Sequence, residues 1–134
     1  MIEFITAYRF ENDKEGIKRL QEVSADPKSD YGLKIENGLL VGTNEWFKAT
    51  ENGQIKKKII KGRISKVYMS GHNDWPEFEI EHNEEKSTWT RDGIDKLYVI
   101  GKQVELTYVM QKYKRPWDIT GPTTKKVLEI KIEK

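Results

Sequence analysis

The sequence predicts an α+β domain that is mainly β, and three observations predict it. Short runs with period-two alternation recur from Tyr31 to the C-terminus. Two Asn-Gly pairs, Asn37-Gly38 and Asn52-Gly53, stand between apolar runs, and Asn-Gly closes two-residue hairpins because both residues tolerate positive φ. Helical spacing is clear in one place only, from Ile17 to Val23. At 134 residues the chain has the length of one domain, for which ~100–150 residues is usual. That is enough to bury a core without disulfide or metal staples. A single domain over 1–134 is expected, with 1–53 as an N-terminal strand–helix–hairpin segment and 54–134 as a small antiparallel barrel.

Each element has its own signal. Residues 2–8, "IEFITAY", alternate as a strand, with Ile2, Phe4 and Tyr8 on one side. A helix follows: Asn12 can cap it and Glu15 stands three positions on, as a capping box requires. Ile17, Leu20 and Val23 supply its apolar face, and Asp26-Pro27 ends it. "GLKIENGLLVG" and "FKATENGQIKKKI" read as strand–turn–strand units around the Asn-Gly pairs. Next comes a long strand, "IKKKIIKGRISKVYM", where Gly62 marks a bulge or bend. "EFEIEH", "KSTWTR", "LYVIGKQVELTYV" and "VLEIKIEK" complete the set. The expected core comprises Phe4, Ile17, Leu20, Val41, Phe47, Ile64, Phe78, Ile80, Val99, Val104, Leu106, Tyr108, Leu128, Ile130 and Ile132.

Composition excludes several kinds of chemistry. There is no cysteine, so disulfides, thiolate metal sites and cysteine nucleophiles are ruled out. No basic-then-apolar leader opens the chain, and no apolar run approaches the roughly 18 residues of a membrane span. A soluble, cytoplasmic protein is therefore expected. Scattered glycines form no phosphate-cradling motif, and no G-x-S-x-G is present. Lysine and arginine number 24 against 22 acidic residues, a balance that names no partner. Their distribution is more telling. Residues 54–69 carry Lys56, Lys57, Lys58, Lys61, Arg63 and Lys66 with no acid, and residues 70–85 carry Asp74, Glu77, Glu79, Glu81, Glu84 and Glu85 with no Lys or Arg. Antiparallel neighbours of opposite charge support each other by about 0.2–1 kcal/mol per pair.

The order of elements from 54 to 134 resembles the OB-fold, the five-stranded Greek-key barrel. "KGRISKVYMSG" corresponds to a bent first strand, "PEFEIEH" and "KSTWTR" to the second and third, "LYVIGKQVELTYV" to the fourth and "KVLEIKIE" to the fifth. "RDGID" stands where such barrels carry a helix. The resemblance implies a binding face on the second and third strands, flanked by loops 70–76 and 111–126. Those loops carry Trp75 and Trp117, and the second adds Lys112, Tyr113, Lys114 and Arg115. Trp89 lies on the third strand. Aromatic faces stack unpaired bases at about 1–3 kcal/mol each while nearby cations follow the phosphates.

Two catalytic readings compete. His72, Asp74, His82 and Glu84 have the ligand types of a metal site if two strand ends meet. Glu77, Glu79 and Glu81 form a ladder at ~6.5–7 Å steps, a spacing that could suit a glycosidase-like pair. A solvated strand face opposite "IKKK" explains the same ladder more simply, and His82 falls at the end of the apolar face of Phe78 and Ile80. The leading expectation is thus a non-enzymatic binding module without cofactor or metal. Its ligand would be a single-stranded nucleic acid, met by Trp75, Trp89, Lys112, Tyr113, Lys114, Arg115 and Trp117. The alternative is a protein-interaction or accessory domain with no nucleic-acid binding, and a third reading is a hydrolase using residues 72–85.

Overall fold

The structure is a computed structural model that describes residues 2–70, 74–117 and 121–134, with Pro116 and Trp117 described in backbone only. Its strands are β1 (Phe4–Arg9), β2 (Lys57–Met69), β3 (Pro76–His82), β4 (Glu85–Thr90), β5 (Gln103–Trp117) and β6 (Gly121–Glu133). Its helices are α1 (Lys14–Ala25) and α2 (Asn44–Glu51), with short 3-10 turns at Phe10–Asn12 and Asp95–Leu97. The strands form one antiparallel sheet in the order β1-β6-β5-β2-β3-β4. The class is mainly β, α+β, as the sequence predicts. The sheet is open. Closing its last five strands into a barrel would bring β6 to β4, whereas β6 pairs with β1, Ile5 opposite Ile132 and Tyr8 opposite Ile130. Among the described residues no helix is long and apolar enough to cross a membrane.

The chain folds as two compact units. The first comprises 1–9, 59–107 and 129–134. Its interior is built on Ile64, Phe78, Ile80, Leu106, Ile130 and Ile132, all at 0% exposure. β2 and β3 pair from Arg63 opposite Glu81 to Met69 opposite Pro76, with a register shift between Ile64 and Lys66. That irregularity falls two residues beyond Gly62. The β3–β4 hairpin runs from His82 opposite Glu85 to Glu77 opposite Thr90. The acidic ladder therefore faces Arg63, Lys66 and Tyr68, not "IKKK". Gly93 closes against β1: its φ is +78° and a Cβ there would overlap the Ala7 carbonyl, which accepts from Ile94 N at 3.0 Å. Only glycine permits both that conformation and that approach.

The second unit comprises 10–58 and 108–128. α1 is capped by Asp13, one residue after the expected Asn12, its carboxylate accepting from Gly16 N at 3.0 Å. α2 corrects the second expected hairpin. Thr43 caps it by accepting from Trp46 N at 3.3 Å, and the Asn52 N–H closes it on Lys48 O at 2.9 Å. Asn52-Gly53 is thus a helix stop. Asn37-Gly38 does turn, with φ of 53° and 73°, but supports a single bridge, Glu36 to Leu39. The unit's core is aromatic: Phe10 and Trp46 are buried, and with Phe47 they form ring contacts at 5.2–5.9 Å.

The expected loop 111–126 is largely strand, as β5 continues to Trp117 and β6 starts at Gly121. Its backbone is held by a remote segment. Lys34 N donates to Lys112 O at 2.9 Å, Lys114 N donates to Gly32 O at 3.1 Å, and Leu33 bridges Tyr113. Of the expected core, Val99 is 47% exposed, at a surface turn where Gly101 N returns to Ile64 O. Phe4, Ile17, Leu20, Phe47, Tyr108 and Leu128 are half-buried.

Candidate protein-interaction surface

In the first unit, the ends of β2 and β3 leave two large apolar side chains exposed, Met69 and Trp75. Met69 closes β2 opposite Pro76, and Ser70 N donates to Trp75 O at 2.8 Å. Trp75 is 55% and Met69 51% exposed. The indole is nonetheless tethered, its Nε1 donating to Thr90 Oγ1 at 3.0 Å. Tyr68 lies beside them under the Lys66 ammonium, which stands 4.7 Å from the ring centroid.

Arg91 holds the end of β2. Its side chain is only 11% exposed, and Nη1 meets Asp95 Oδ1 at 3.4 Å. Nη2 donates to Met69 Sδ at 3.3 Å and to Tyr68 O at 3.5 Å. Among the described residues its Nε is buried without a hydrogen-bond partner. A buried guanidinium is held by its ion pair and by the carbonyl, so the Met69 side chain and the Tyr68 backbone rest on a fixed support. Next to it, Tyr98 donates to Asp92 O at 2.6 Å and packs on Phe78 at 4.7 Å between centroids. Burial holds the Tyr98 hydroxyl far above the ordinary tyrosine range, Asp92 and Asp95 add to the shift, and Arg91 opposes it.

The other residues singled out in the sequence are placed as follows. Trp89 is buried at 7% exposure, its Nε1 donating to Ser87 Oγ at 2.7 Å; it contributes to the core and offers no open ring face. Lys112 pairs with Glu36 at 3.7 Å, and Arg115 with Asp30 at 2.8 Å. Lys114 Nζ donates to Val23 O at 2.9 Å and to Asp26 O, latching β5 to the end of α1. Tyr113 is half-buried opposite Leu33. The Trp117 side chain and His72 lie outside the described residues.

Among the described residues the catalytic readings find no assembled site. Among the described residues no group of three or more His, Cys, Asp or Glu could hold a metal ion. His82 is exposed, and its Nδ1 is hydrogen-bonded to Lys61 O. Glu79 is occupied structurally, accepting from Ser65 Oγ at 2.9 Å with Lys86 at 4.0 Å.

Sequence reasoning singled out Trp75 but missed Met69, the other exposed apolar side chain there, and Arg91, which holds it. A methionine closing a strand and an arginine just past another are legible in "VYMSG" and "TWTRDG", but only the register brings them together. A comparison with curated proteins gives no match to the chain. A family profile described as Immunity protein RhsI2 matches residues 4–133. With nearly the whole chain under that match, the protein belongs to the Immunity protein RhsI2 family.

Proposed function

We propose that this chain neutralises a toxin by binding it, and that the face around Trp75 makes the contact. The family supports the kind of activity: an immunity protein acts through a protein partner. The observation that carries the location is Trp75, 55% exposed yet fixed by its bond to Thr90. Trp, Tyr, Met and Arg are the side chains enriched in interface centres, where a few anchors supply most of the binding free energy. A tethered indole loses little rotamer freedom when covered, so more of its burial appears as affinity. No covalent step is involved; occupancy of the toxin surface suffices.

The single-stranded nucleic-acid reading gains no support from the same residues. Its cations Lys112, Lys114 and Arg115 are already engaged with Glu36, main-chain carbonyls and Asp30.

The test is calorimetric titration of the chain with its cognate toxin domain, beside toxin-dependent growth arrest in cells. Trp75→Ala is expected to weaken binding by roughly 30-fold, about 2 kcal/mol, and to leave the melting temperature close to wild type because the side chain is largely outside the core. Unchanged affinity in a Trp75→Ala/Met69→Ala variant would remove this face from the proposal. An absence of any toxin binding by the wild type would remove the function.

A further inference from the structure

The second unit holds a groove that the Trp75 face does not use. It has a volume of about 350 Å³ and lies beside the fully buried Trp46. Leu39, Ile55 and Met110 give it an apolar lining, and Lys34, Lys56 and Lys58 stand along it. Lys57, between two of these in sequence, points elsewhere and pairs with Glu51 at 3.4 Å. The alternation of a strand accounts for this: Lys56 and Lys58 share one side and Lys57 the other. The groove's own carboxylate, Glu36, is taken by Lys112 at 3.7 Å. Three exposed lysines therefore stand over an apolar lining, and among the described residues none of them forms an ion pair, the one acid of the lining being paired with Lys112.

We infer that this groove is a second contact site, and that its occupant is an acidic segment of the partner protein carrying one apolar anchor side chain. The inference rests on the toxin-binding reading for its biological partner, but the chemistry stands on the groove. Lysine ammonium groups are point charges suited to carboxylates, and the apolar lining suits an aliphatic or phenyl side chain. The volume lies at the small end of ligand pockets, about 300–1,000 Å³, which fits one anchor and not an extended polymer. A nucleic acid would find no stacking platform here. Trp46 is at 0% exposure and its Nε1 donates to Gln111 Oε1 at 3.2 Å, so the aromatic term that stabilises unpaired bases is missing. Charge complementarity of this kind speeds encounter and selects partners, and it weakens with salt.

The probe is a fluorescein-labelled peptide with four glutamates flanking one leucine, followed by anisotropy at about 50 mM salt, where the Debye length exceeds ~10 Å. Controls are the same peptide with glutamine for glutamate, with serine for leucine, and a single-stranded thymidine oligonucleotide. Saturable binding of the acidic peptide is expected, at least tenfold tighter than the glutamine version and at least threefold tighter than the serine version. Lys34→Glu/Lys56→Glu/Lys58→Glu should lose at least tenfold. The milder Lys→Gln triple variant should lose an intermediate amount with an unchanged melt, which keeps the result readable if charge reversal harms folding. In the peptide assay, three results overturn the inference: no saturable peptide binding, equal affinity for the glutamine peptide, or tighter binding of the oligonucleotide. Toxin titration separates the two proposals. Toxin binding that survives the Lys variants unchanged refutes the groove alone, and toxin binding absent from the wild type refutes the function.

Discussion

The two units handle charge in opposite ways. In the first, charged side chains largely answer one another across strands: Lys66 stands opposite Glu79 and Arg63 opposite Glu81, while Lys61 reaches Glu105 and Arg9 reaches Glu129. This unit also leaves large apolar side chains uncovered, Trp75 and Met69 among them. In the second, several cations are absorbed structurally. Lys114 binds carbonyls, Arg115 pairs with Asp30 and Lys126 lies 3.9 Å over the Phe10 ring. Lys34, Lys56 and Lys58 are left without an acid, over an apolar groove. A surface whose charges are satisfied internally recognises by shape and burial, whereas one with unopposed cations recognises by complementarity. The contrast separates what Trp75 would contribute, slow dissociation, from what the lysines would contribute, fast and salt-sensitive association.

The largest effects come from the two cores, which also differ in kind. Phe78→Ala, in the interior of the first unit where aliphatic side chains surround the Phe78–Tyr98 ring contact, should cost about 3–5 kcal/mol, read as a lowered urea midpoint. Trp46→Ala should lie at the upper end of that range, because it removes two ring contacts and leaves Gln111 without its indole donor. If Trp46→Ala proves the milder of the two, the aromatic cluster is not what holds the second unit. Gly93→Ala comes next, at roughly 2 kcal/mol or more, since a positive φ and the Ala7 carbonyl both oppose a Cβ. Amide exchange at Ile94, whose N–H bonds Ala7 O, is the local readout, and retained protection there would contradict the assignment.

The smallest effect is a pH slope. Tyr98 holds its proton in the native state at a pH where an unfolded tyrosine, of ordinary pKa about 10, has lost it. Above about pH 10 the native state binds more protons than the unfolded one, so stability falls as pH rises. Below that window the contribution is fully present. Tyr98→Phe should flatten this alkaline slope while losing about 1 kcal/mol at neutral pH for the bond to Asp92 O. A slope that survives the substitution would assign it to another group.

Much of this architecture was legible in the sequence where local chemistry and final packing agree. α1 shows its stop at Asp26 and its apolar spacing, and β2, β3, β4 and β6 show their alternation. α2 was legible in principle: Trp46, Ala49 and Thr50 are buried at helical spacing after a Thr43 cap. Asn52-Gly53 signals either a hairpin or a helix end, and nothing local distinguishes them. β5 beyond Val109 was not legible. Pro116, the charges and the polar run argue for a loop, and the strand is held by carbonyls and amides of residues 32–34 some eighty positions away.

The candidate surface divides in the same manner. Trp75 could be singled out from its loop, and the lysine run from its composition, because side-chain type is a local property. Trp89 and Trp75 could not be told apart: both are tryptophans near strand ends, yet one is 7% and the other 55% exposed. The sequence by itself determined the class of fold, the strand faces and which chemistries are missing, since these follow from alternation, capping and residue inventory. Tertiary structure decided that the sheet is open, that Arg91 supports Met69 and that Glu36, on the groove's lining, pairs with Lys112. Those outcomes depend on which distant segments meet, and no short stretch of chain encodes its partner.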